Sequence, residues 1–419
     1  MSDFKKPKFN PRPGGKPGGA RPPRKDYGNA ISAPRDNGRK TAERSDAPLP
    51  PKKSGQARLH VNLRQVAANY NALSEKCARP GKPVTVAACV KADAYGLGLG
   101  PVAKALYGAG CRAFFVAHAS EGRLLREIIG HMASIYVFNG PTEAELPIFF
   151  TSKLKPVINT LQQARLWIRN VPKHEFKPRT AIHIDTGMNR LGFDAAEFDR
   201  LWGDKEMVKA LDIEIVMSHL ACADTPDHRM NKKQLSEFKA KAAKLPPVAL
   251  SLANSAGIYL GKDYHFNMVR PGAALYGLNI TTLPEAHKPV VSISAPVLQK
   301  GFIEKGDTAG YRASFTAKRD TKTITVSAGY ADGIPVAGSN IAHADLNGQK
   351  LKIIGRVSMD LTILDATDYK GEIVIGDRVH FWGDDLTGQS ERMGVLDYEL
   401  LTRLGARLRR DYHKGTPRP

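Results

Sequence analysis

Short apolar segments alternate with amphipathic segments from about residue 58 to residue 290. The apolar segments are rich in β-branched residues and bounded by glycine, proline or polar residues, which is typical of buried parallel strands. These predicted strands lie at 84–90, 113–118, 134–138, 156–159, 180–185, 212–218, 248–252 and 266–270. Between them, apolar residues recur at the spacing of a helix face. The predicted helices include 101–109, 120–129, 160–170, 195–202 and 232–244.

This alternation predicts an α/β fold whose N-terminal part is a TIM-like (β/α)8 barrel with the helices outside. An open doubly wound sheet is the competing layout. Its dinucleotide-binding fingerprint is absent, because the glycines at 96, 98 and 100 are followed by Pro101 where the last glycine would stand. The pattern therefore favours the barrel.

Beyond about residue 290 the pattern changes to short alternating runs broken by glycine and aspartate. Such runs are typical of strands joined by tight turns. They lie at 290–293, 323–327, 350–354, 360–364 and 378–382, and a helical pattern follows at 397–404. We predict a barrel domain over 58–290 and a mostly antiparallel C-terminal β domain over 291–419. The segment 58–65 precedes the first barrel helix and is a candidate partner strand of the second domain.

Residues 1–57 have a different composition, with fourteen lysines and arginines, five acidic residues, ten prolines and seven glycines. Few aliphatic residues and no periodicity predict a disordered basic tail. The tail supplies nine of the 21 net positive charges of the chain. Its basic residues, with Phe4, Phe9 and Tyr27 between them, are candidate contacts for RNA or anionic lipid. A solvated tail without a specific partner is the favoured interpretation, so a nucleic-acid partner is expected only through this tail.

No apolar run approaches the roughly 20 residues that a membrane-spanning helix requires. The basic N-terminus is not followed by the apolar segment of a secretory signal. The four cysteines form no CxxC pair and no metal-ligand spacing. We therefore expect a cytoplasmic protein with no membrane association and no bound metal.

Polar residues stand where several predicted strands end, which is where a parallel barrel carries its functional groups. Lys91 ends the first strand, and small residues around it leave its amine poorly solvated. Desolvation lowers the pKa of a lysine and favours an amine nucleophile. A lysine that extends to solvent is the alternative for this residue alone. The other strand-end candidates are His219, Asn254, Ser255, Arg270, Gly272 and the loop 185–192.

The ordered series of these motifs resembles the bacterial alanine racemases, a family of fold-type III enzymes that depend on pyridoxal 5′-phosphate. The Lys-Ala-Asp-Ala-Tyr-Gly sequence at 91–96 is similar to the cofactor-lysine motif of that family. The resemblance covers roughly residues 58–412. It continues through 185–192, 218–219, 253–255, 270–272, 310–311, 329–333, 355–360 and 397–399.

The resemblance implies a role for each matching residue. Lys91 would hold pyridoxal 5′-phosphate as a Schiff base, and the cofactor would act as an electron sink. Arg270 would face the pyridine nitrogen, Arg190 would contact the phenolic oxygen, and His219 would support the ring. The remaining cofactor-binding positions, most of them at the phosphate, are Tyr95, Asn254, Ser255, Gly272 and Tyr398.

The resemblance also implies a two-base racemisation of alanine that supplies D-alanine for peptidoglycan. Lys91 would be one catalytic base and Tyr311 the other, with His219 tuning the tyrosine. The substrate-binding positions would be Arg190, Tyr330, Met359 and Asp360. Residues of the β domain would reach the lysine of a partner subunit, which implies a homodimer with shared active sites.

Two positions depart from the family pattern. Many members carry a modified lysine two residues before the aspartate of the 185–192 loop, and this chain has His183 there. Arg312 follows Tyr311 where glycine is more usual. Both substitutions bear on rate and specificity, and neither changes the reaction class.

Three other functions are weighed against an alanine racemase. A broad-spectrum amino-acid racemase is the nearest, although such relatives are commonly exported. A cofactor-dependent decarboxylase shares the architecture but would be expected to place an acidic residue where this chain has Arg270. Nucleic-acid binding through the basic tail would be an added function, detected by its salt sensitivity.

Overall fold

The computed structural model describes residues 56–172, 178–278, 280 and 288–414. All but the last two residues of the predicted basic tail lie outside the described residues. The first described strand, β1 (Arg58–Asn62), belongs to the second of two large sheets.

The first large sheet is parallel and follows the chain order around a ring. Its segments are β2 (Thr85–Val86), β3 (Ala88–Cys89), β4 (Ala113–Val116), β5 (Ser134–Val137), β6 (Lys155–Ile158), β7 (Thr180–His183), β8 (Ile213–Met217), β9 (Ala249–Asn254) and β10 (Met268–Arg270). β2 and β3 are consecutive pieces of one strand on either side of Ala87, and they pair with β10 and β4 respectively. The ring therefore begins and ends on the same strand, which confirms the predicted (β/α)8 barrel.

Most helices connect the barrel strands, and the last two precede the final strand of the second sheet. They are α1 (Leu63–Cys77), α2 (Lys91–Tyr95), α3 (Leu99–Gly108), α4 (Ala119–Ile129), α5 (Leu146–Thr151), α6 (Leu161–Asn170), α7 (Ala195–Gly203), α8 (Lys205–Leu211), α9 (Arg229–Ala242), α10 (Leu386–Met393) and α11 (Asp397–Thr402). The pattern did not predict α2, α5, α8 or α10, which have five to eight residues and so show little helical periodicity. The six-residue α11 was predicted despite its length. None of the helices in the described ranges is long and apolar enough to cross a membrane.

The barrel interior is filled by alternate residues of the strands, as side chains on a strand point to opposite faces in turn. This buried cluster comprises Ala87, Cys89, Ala113, Phe115, Tyr136, Val157, Ala181, Ile215, Met217 and Met268. The rings of Phe115 and Tyr136 stack at 4.7 Å between centroids. The barrel is thus a packed core whose open end alone is available for chemistry.

The second large sheet is mostly antiparallel, as predicted. The strands after the barrel are β11 (Val291–Ile303), β12 (Thr308–Ala309), β13 (Phe315–Thr316), β14 (Thr321–Val326), β15 (His343–Leu346), β16 (Gln349–Ile354), β17 (Thr362–Asp365), β18 (Arg378–Trp382) and β19 (Arg409–His413). Its strand order is β14-β17-β16-β15-β18-β11-β1-β19. β12 and β13 form a separate hairpin-like pair. The domain boundary at residue 290 stays a prediction.

β1 lies inside the second sheet, although it precedes the first barrel helix. It pairs antiparallel with β11 and parallel with β19. Leu59 and Val61 on its inner face are fully buried. The two ends of the described chain are therefore joined in one sheet, next to the barrel.

Three histidines meet on the other face of β1. His60 Nδ1 lies 3.1 Å from Nε2 of His413, and its Nε2 lies 2.7 Å from the hydroxyl of Ser294. The His60 and His380 rings are 6.3 Å apart. Burial, followed by the charges of His413 and His380, lowers the pKa of His60 from 6.5 to about 4. The folded protein therefore holds His60 neutral at pH values where an unfolded histidine takes up a proton.

Acidification from pH 6.5 to pH 4 is expected to lower the free energy of unfolding through this histidine. The unfolded chain binds a proton in this interval that folded His60 does not, so this contribution is fully present above pH 6.5 and is lost as the pH falls towards 4. Chemical denaturation at both pH values measures the loss. His60→Gln should lose less stability than the parent protein, and exposed His131→Gln should behave like the parent. Equal pH dependence in all three proteins would contradict the prediction.

Candidate active site

The open end of the barrel carries a layer of larger, mostly polar side chains. Each lies two residues beyond a residue of the interior cluster, at or just after the carboxyl end of its strand. The members of this layer are Lys91, Phe138, Asn159, His183, His219 and Arg270. Lys91 Nζ lies 5.9 Å from the centroid of the Phe138 ring. Three predicted site residues, Lys91, His219 and Arg270, therefore share one rim.

Lys91 does not end its strand as the pattern predicted, but begins the turn that follows. The strand ends at Cys89, and residues 92–95 all have left-handed backbone angles, with φ between 53° and 58°. Such a conformation costs roughly 1–2 kcal/mol per non-glycine residue. The amide of Ala92 donates to the Glu121 carboxylate at 2.6 Å. This strained turn is fixed by its surroundings, as is common at functional sites.

The C-terminal segment holds the other end of this turn. The Arg410 guanidinium donates to the carbonyl oxygen of Gly96 at 3.1 Å, and the Tyr412 hydroxyl donates to that of Leu97 at 3.1 Å. A Cβ atom on Gly96 would lie 2.3 Å from the carbonyl oxygen of Leu401, so only glycine fits beside α11. The β domain therefore supports the backbone next to Lys91.

Arg270 is the most deeply buried cation of the site, with 2% of its surface exposed. Its guanidinium donates to the Ser251 hydroxyl and to the carbonyl oxygen of Ser218. Burial lowers the pKa of Arg270 to about 10, so the group stays charged at neutral pH. Its Nε has no hydrogen-bond partner among the described residues. An unpaired buried donor costs about 1–3 kcal/mol, so an acceptor such as a ring nitrogen would satisfy this atom.

Hydroxyl groups lie close together on the neighbouring loops. The Ser255 Oγ accepts hydrogen bonds from the amides of Gly272 (2.9 Å) and Ala274 (3.2 Å), which leaves its proton for another acceptor. A Cβ atom on Gly272 would lie 2.3 Å from the Tyr95 hydroxyl. Burial raises the pKa of Tyr95, and it raises that of Tyr398 to about 12. Both tyrosines are therefore neutral donors, suited to an anion such as a phosphate.

Asn254 fixes the loop that carries this serine. Its side-chain oxygen accepts from the amide of Gly257 at 2.9 Å, and its amide group donates to the carbonyl oxygen of Leu220 at 3.4 Å. The structure places Asn254 at the end of β9 and not after it. Its side chain is thus engaged with the backbone on both sides.

His219 is half-buried, whereas Arg190 is exposed. Burial, then the positive charges of Arg270 and Arg190, lower the pKa of His219 well below its usual value, so the imidazole is neutral. Arg190 is exposed and makes no hydrogen bond or ion pair with any other described residue. Its loop is held by the Asp185 carboxylate, which accepts from the amides of residues 187–189. Arg190 is therefore a cation on a fixed loop with its donors available.

The predicted residues of the β domain line a separate open cleft of about 580 Å³. Its lining residues are Tyr311, Tyr330, Val336, Arg356, Val357, Ser358, Met359 and Asp360. Tyr311 is 68% exposed and Met359 is 53% exposed. Arg312 beside them has a left-handed φ of 62°. No barrel residue lines this cleft, so within one chain Tyr311 and Lys91 do not share it.

Two residues near these sites were missed by the sequence analysis. Arg407 forms a bidentate ion pair with buried Asp332 (2.7 and 2.8 Å) and a contact of 2.6 Å with Asp360, and so joins the loops that carry Tyr330 and Met359. Nothing in the local pattern signals a pairing across 75 residues. Asn159 directly follows β6, and the strand-end criterion applied to the other candidates would have found it.

Comparisons with known proteins match both the barrel and the second sheet to one family. The family model for the alanine racemase N-terminal domain matches residues 61–280, and that for the alanine racemase C-terminal domain matches residues 290–412. An alanine racemase of Methylobacterium nodulans is 41% identical over 366 residues, which are 86% of this chain and 97% of that protein. One from Rickettsia peacockii is 39% identical over 358 residues, 84% of this chain and 98% of that protein.

Solved structures of alanine racemases are also similar to this chain. The crystal structure of alanine racemase from Bartonella henselae with covalently bound pyridoxal phosphate has a TM-score of 0.81 and 38% identity, covering 85% of this chain and 99% of that one. The biosynthetic alanine racemase of Pseudomonas aeruginosa has a TM-score of 0.77 and 30% identity over the same shares. With both halves of the described chain matched, this protein belongs to the alanine racemase family.

Proposed function

We propose that this protein interconverts L-alanine and D-alanine with pyridoxal 5′-phosphate bound at the open end of the barrel. The observation that carries the proposal is the position of Lys91 on the same rim as Arg270, whose buried Nε has no partner in the described chain. A lysine amine and a buried cationic donor suit a cofactor with an aldehyde and a pyridine nitrogen. Membership of the family supports the same reaction.

The residues of the rim fit the parts of this cofactor. Lys91 would hold it covalently, and the Nε of Arg270 would donate to the ring nitrogen. A cation at that position keeps the nitrogen unprotonated and so limits side reactions. The phosphate would be bound by the hydroxyls of Tyr95, Ser255 and Tyr398, beside the Gly272 backbone, where a Cβ atom would collide with Tyr95. Asn254 keeps the loop of Ser255 in place.

Racemisation requires a proton to leave one face of Cα and another to arrive on the opposite face. The bound cofactor supplies an electron sink for the negative charge that develops on Cα. We assign the two bases to the Nζ of Lys91 and the phenolic oxygen of Tyr311. His219, held neutral by its burial, would form one hydrogen bond that adjusts the basicity of the tyrosine. A tyrosine with an ordinary pKa near 10 is otherwise a weak base at neutral pH.

Other residues would bind and admit the substrate. Arg190, with its donors available, would contact the ring phenolic oxygen and the alanine carboxylate. Met359 and Asp360 would line the substrate position, and Tyr330 would stand at its entrance, since all three lie in the cleft with Tyr311. The ion pairs of Arg407 hold the loops that carry them.

We further propose that the site is completed by a second copy of the chain. Tyr311, Tyr330 and Met359 form a group of large exposed side chains in a cleft without barrel residues. Exposed apolar groups of this kind mark association surfaces. In a C₂ homodimer, the cleft of each subunit would face the Lys91 of its partner, and each dimer would contain two shared sites.

The product would be D-alanine for peptidoglycan, made in the cytoplasm. The four cysteines are all free thiols, which suits a reducing compartment.

Chiral analysis tests the reaction directly. Purified protein with pyridoxal 5′-phosphate should convert L-alanine to an equal mixture of both enantiomers, since their free energies are equal. L-serine, L-lysine and L-arginine are assayed in parallel. If alanine stays L while another amino acid racemises, that amino acid replaces alanine as the proposed substrate. If none of the four amino acids racemises, the proposed reaction is wrong.

Complementation tests the shared site. Lys91→Ala and Tyr311→Phe are each expected to be inactive alone, but their mixed dimer contains one site with both native bases. After co-expression, about a quarter of the native activity per site should return, because half of the dimers are mixed and each has one intact site. If both bases came from one chain, mixing would restore nothing.

A further inference from the structure

Two side chains of the C-terminal strand β19 reach the turn that follows Lys91, and the two-base mechanism does not use them. The Arg410 guanidinium donates to the carbonyl oxygen of Gly96 from Nη2 at 3.1 Å and from Nε at 3.3 Å. The Tyr412 hydroxyl donates to the carbonyl oxygen of Leu97 at 3.1 Å. These hydrogen bonds therefore connect the last strand of the second sheet to the first turn of the barrel.

The carbonyl oxygen of Leu97 needs a donor from outside its own segment. In a continuous helix it would accept from the amide four residues later, but that residue is Pro101, which has no N–H group. Burial raises the pKa of Tyr412, so its hydroxyl keeps the proton that it donates. A Cβ atom on Gly98 would collide with this hydroxyl, so glycine leaves the space that the tyrosine occupies.

The two faces of β19 have different partners, because side chains alternate along a strand. Asp411 and His413 lie on one face and bond to side chains of β1 at 3.1 Å each. Arg410 and Tyr412 occupy the alternate positions and contact the turn. Among the described strands, β19 pairs only with β1, at the edge of the sheet. The contacts with the turn therefore help to hold β19 in place.

The turn requires bonds from its surroundings, because residues 92–95 all have left-handed backbone angles, which non-glycine residues rarely adopt. A segment in this conformation persists only where neighbouring groups fix it. Glu121 holds its start through the amide of Ala92 at 2.6 Å, and β19 holds its end. Lys91 precedes the turn and Tyr95 lies within it, so the same backbone carries the amine and one of the hydroxyls proposed for the phosphate.

We propose that Arg410 and Tyr412 position Lys91 for attachment of the cofactor, so that cofactor binding and the docking of β19 are coupled. The inference rests on the proposed function, in which Lys91 holds pyridoxal 5′-phosphate. Both side chains act through the backbone of the turn and are therefore positioning residues. Such coupling is reciprocal: the factor by which docked β19 raises cofactor affinity is also the factor by which bound cofactor stabilises β19.

Substitutions on the two faces of β19 separate this role from general packing of the strand. Arg410→Met removes the donors to Gly96 and keeps an unbranched apolar stem, whereas Tyr412→Phe removes only the hydroxyl. Arg409→Met is the matched control, because Arg409 lies on the same strand and contacts Asp411 at 3.3 Å. Absorbance titration of the apoprotein gives the dissociation constant of pyridoxal 5′-phosphate, and thermal unfolding identifies any variant that fails to fold.

Arg410→Met is expected to weaken cofactor binding by about ten- to hundredfold and Tyr412→Phe by about three- to tenfold, the sizes of one lost hydrogen bond from a charged and from a neutral donor. Arg409→Met should stay within about twofold of the parent. In the first two variants, exchange of the Cα proton should fall more from D-alanine than from L-alanine, because Lys91 is the proposed base for D-alanine. A purely structural role would lower both rates equally.

Hydrogen exchange of the backbone amides tests the coupling in the parent protein, without a substitution and without turnover. Pyridoxal 5′-phosphate should slow exchange at 409–413 by about tenfold, the factor expected from reciprocity. This protection should disappear in the double variant with Arg410→Met and Tyr412→Phe. Pyridoxamine 5′-phosphate has the same ring and phosphate but no aldehyde, so it cannot attach to Lys91 and should give little protection.

Unchanged cofactor affinity in folded Arg410→Met and Tyr412→Phe would overturn the proposal, as would an equal loss in Arg409→Met. Equal protection of 409–413 by both forms of the cofactor would overturn it too, because the coupling would then pass through the phosphate. Absence of protection in the parent protein has the same meaning. A protein that binds pyridoxal 5′-phosphate and shows the coupling, but does not racemise alanine, would contradict the proposed reaction alone.

Discussion

Lys91→Ala is expected to abolish alanine racemisation, with turnover falling by more than about 10⁴-fold. The substitution would remove both the proposed covalent attachment of the cofactor and one of the two proposed bases. Chiral analysis of the product and the visible absorbance of the protein with pyridoxal 5′-phosphate measure the two losses separately. Lys104→Ala, at an exposed position of α3, is the matched control and should keep both.

The structure indicates that this substitution changes activity without changing the fold. Lys91 is exposed at the barrel mouth, and the turn after it is held by backbone contacts to Glu121 and Arg410 that do not involve the lysine side chain. Removal of an exposed side chain usually changes the free energy of unfolding by no more than about 0.5 kcal/mol. Retained racemisation in a folded variant would contradict the role assigned to Lys91.

Tyr311→Phe is expected to impair the two directions of proton removal unequally. The phenolic oxygen is the proposed base for L-alanine, and Lys91 is the proposed base for D-alanine. Exchange of the Cα proton with deuterated water, measured from each enantiomer, should fall by about 10²–10⁴-fold for L-alanine and far less for D-alanine. Tyr369→Phe, in the same domain but outside the cleft, is the control.

The variant should fold normally, because Tyr311 is 68% exposed and loses only a hydroxyl. Equal losses of exchange from both enantiomers would contradict the assignment of Tyr311 to one face. Unchanged exchange from L-alanine would show that another group is the base there.

The separation of the two bases has a physical consequence. A parallel barrel presents its functional groups at one end, so it reaches a substrate from one side. A second base on the opposite face must come from another structural unit, and the exposed cleft with Tyr311 is such a unit. Under the proposed mechanism, the β domain would supply the second base in addition to supporting the turn after Lys91.

The sequence predicted the fold to a large extent, because the buried faces of strands and helices require apolar residues at regular spacings. All eight predicted barrel strands exist, each shifted by only a few residues. The parallel pairing of β1 with β19 was not predicted, since nothing local to either strand indicates a partner some 350 residues away. The predicted second sheet also lacked β15 and β19. β19 has no buried residue, so no alternation of burial marks it.

The candidate site was predicted in two steps of different kinds. The positions of Lys91, His219 and Arg270 followed from strand ends, whereas the cofactor and the reaction followed only from resemblance to a family. Asn159 obeyed the strand-end criterion and was overlooked. His183 was noticed as a departure from the family pattern, but its hydrogen bond with Asn159 (3.0 Å) was not foreseen.

The sequence by itself determined which residues stand at the carboxyl ends of the strands, because strand position is encoded in the local alternation of apolar residues. Only the tertiary structure decided their chemical state. The neutral imidazole of His219 and the unpaired Nε of Arg270 depend on desolvation and on groups from other strands. The contacts of Arg270 join residues about 20 and 50 positions apart in the chain, and they exist only once the barrel has closed.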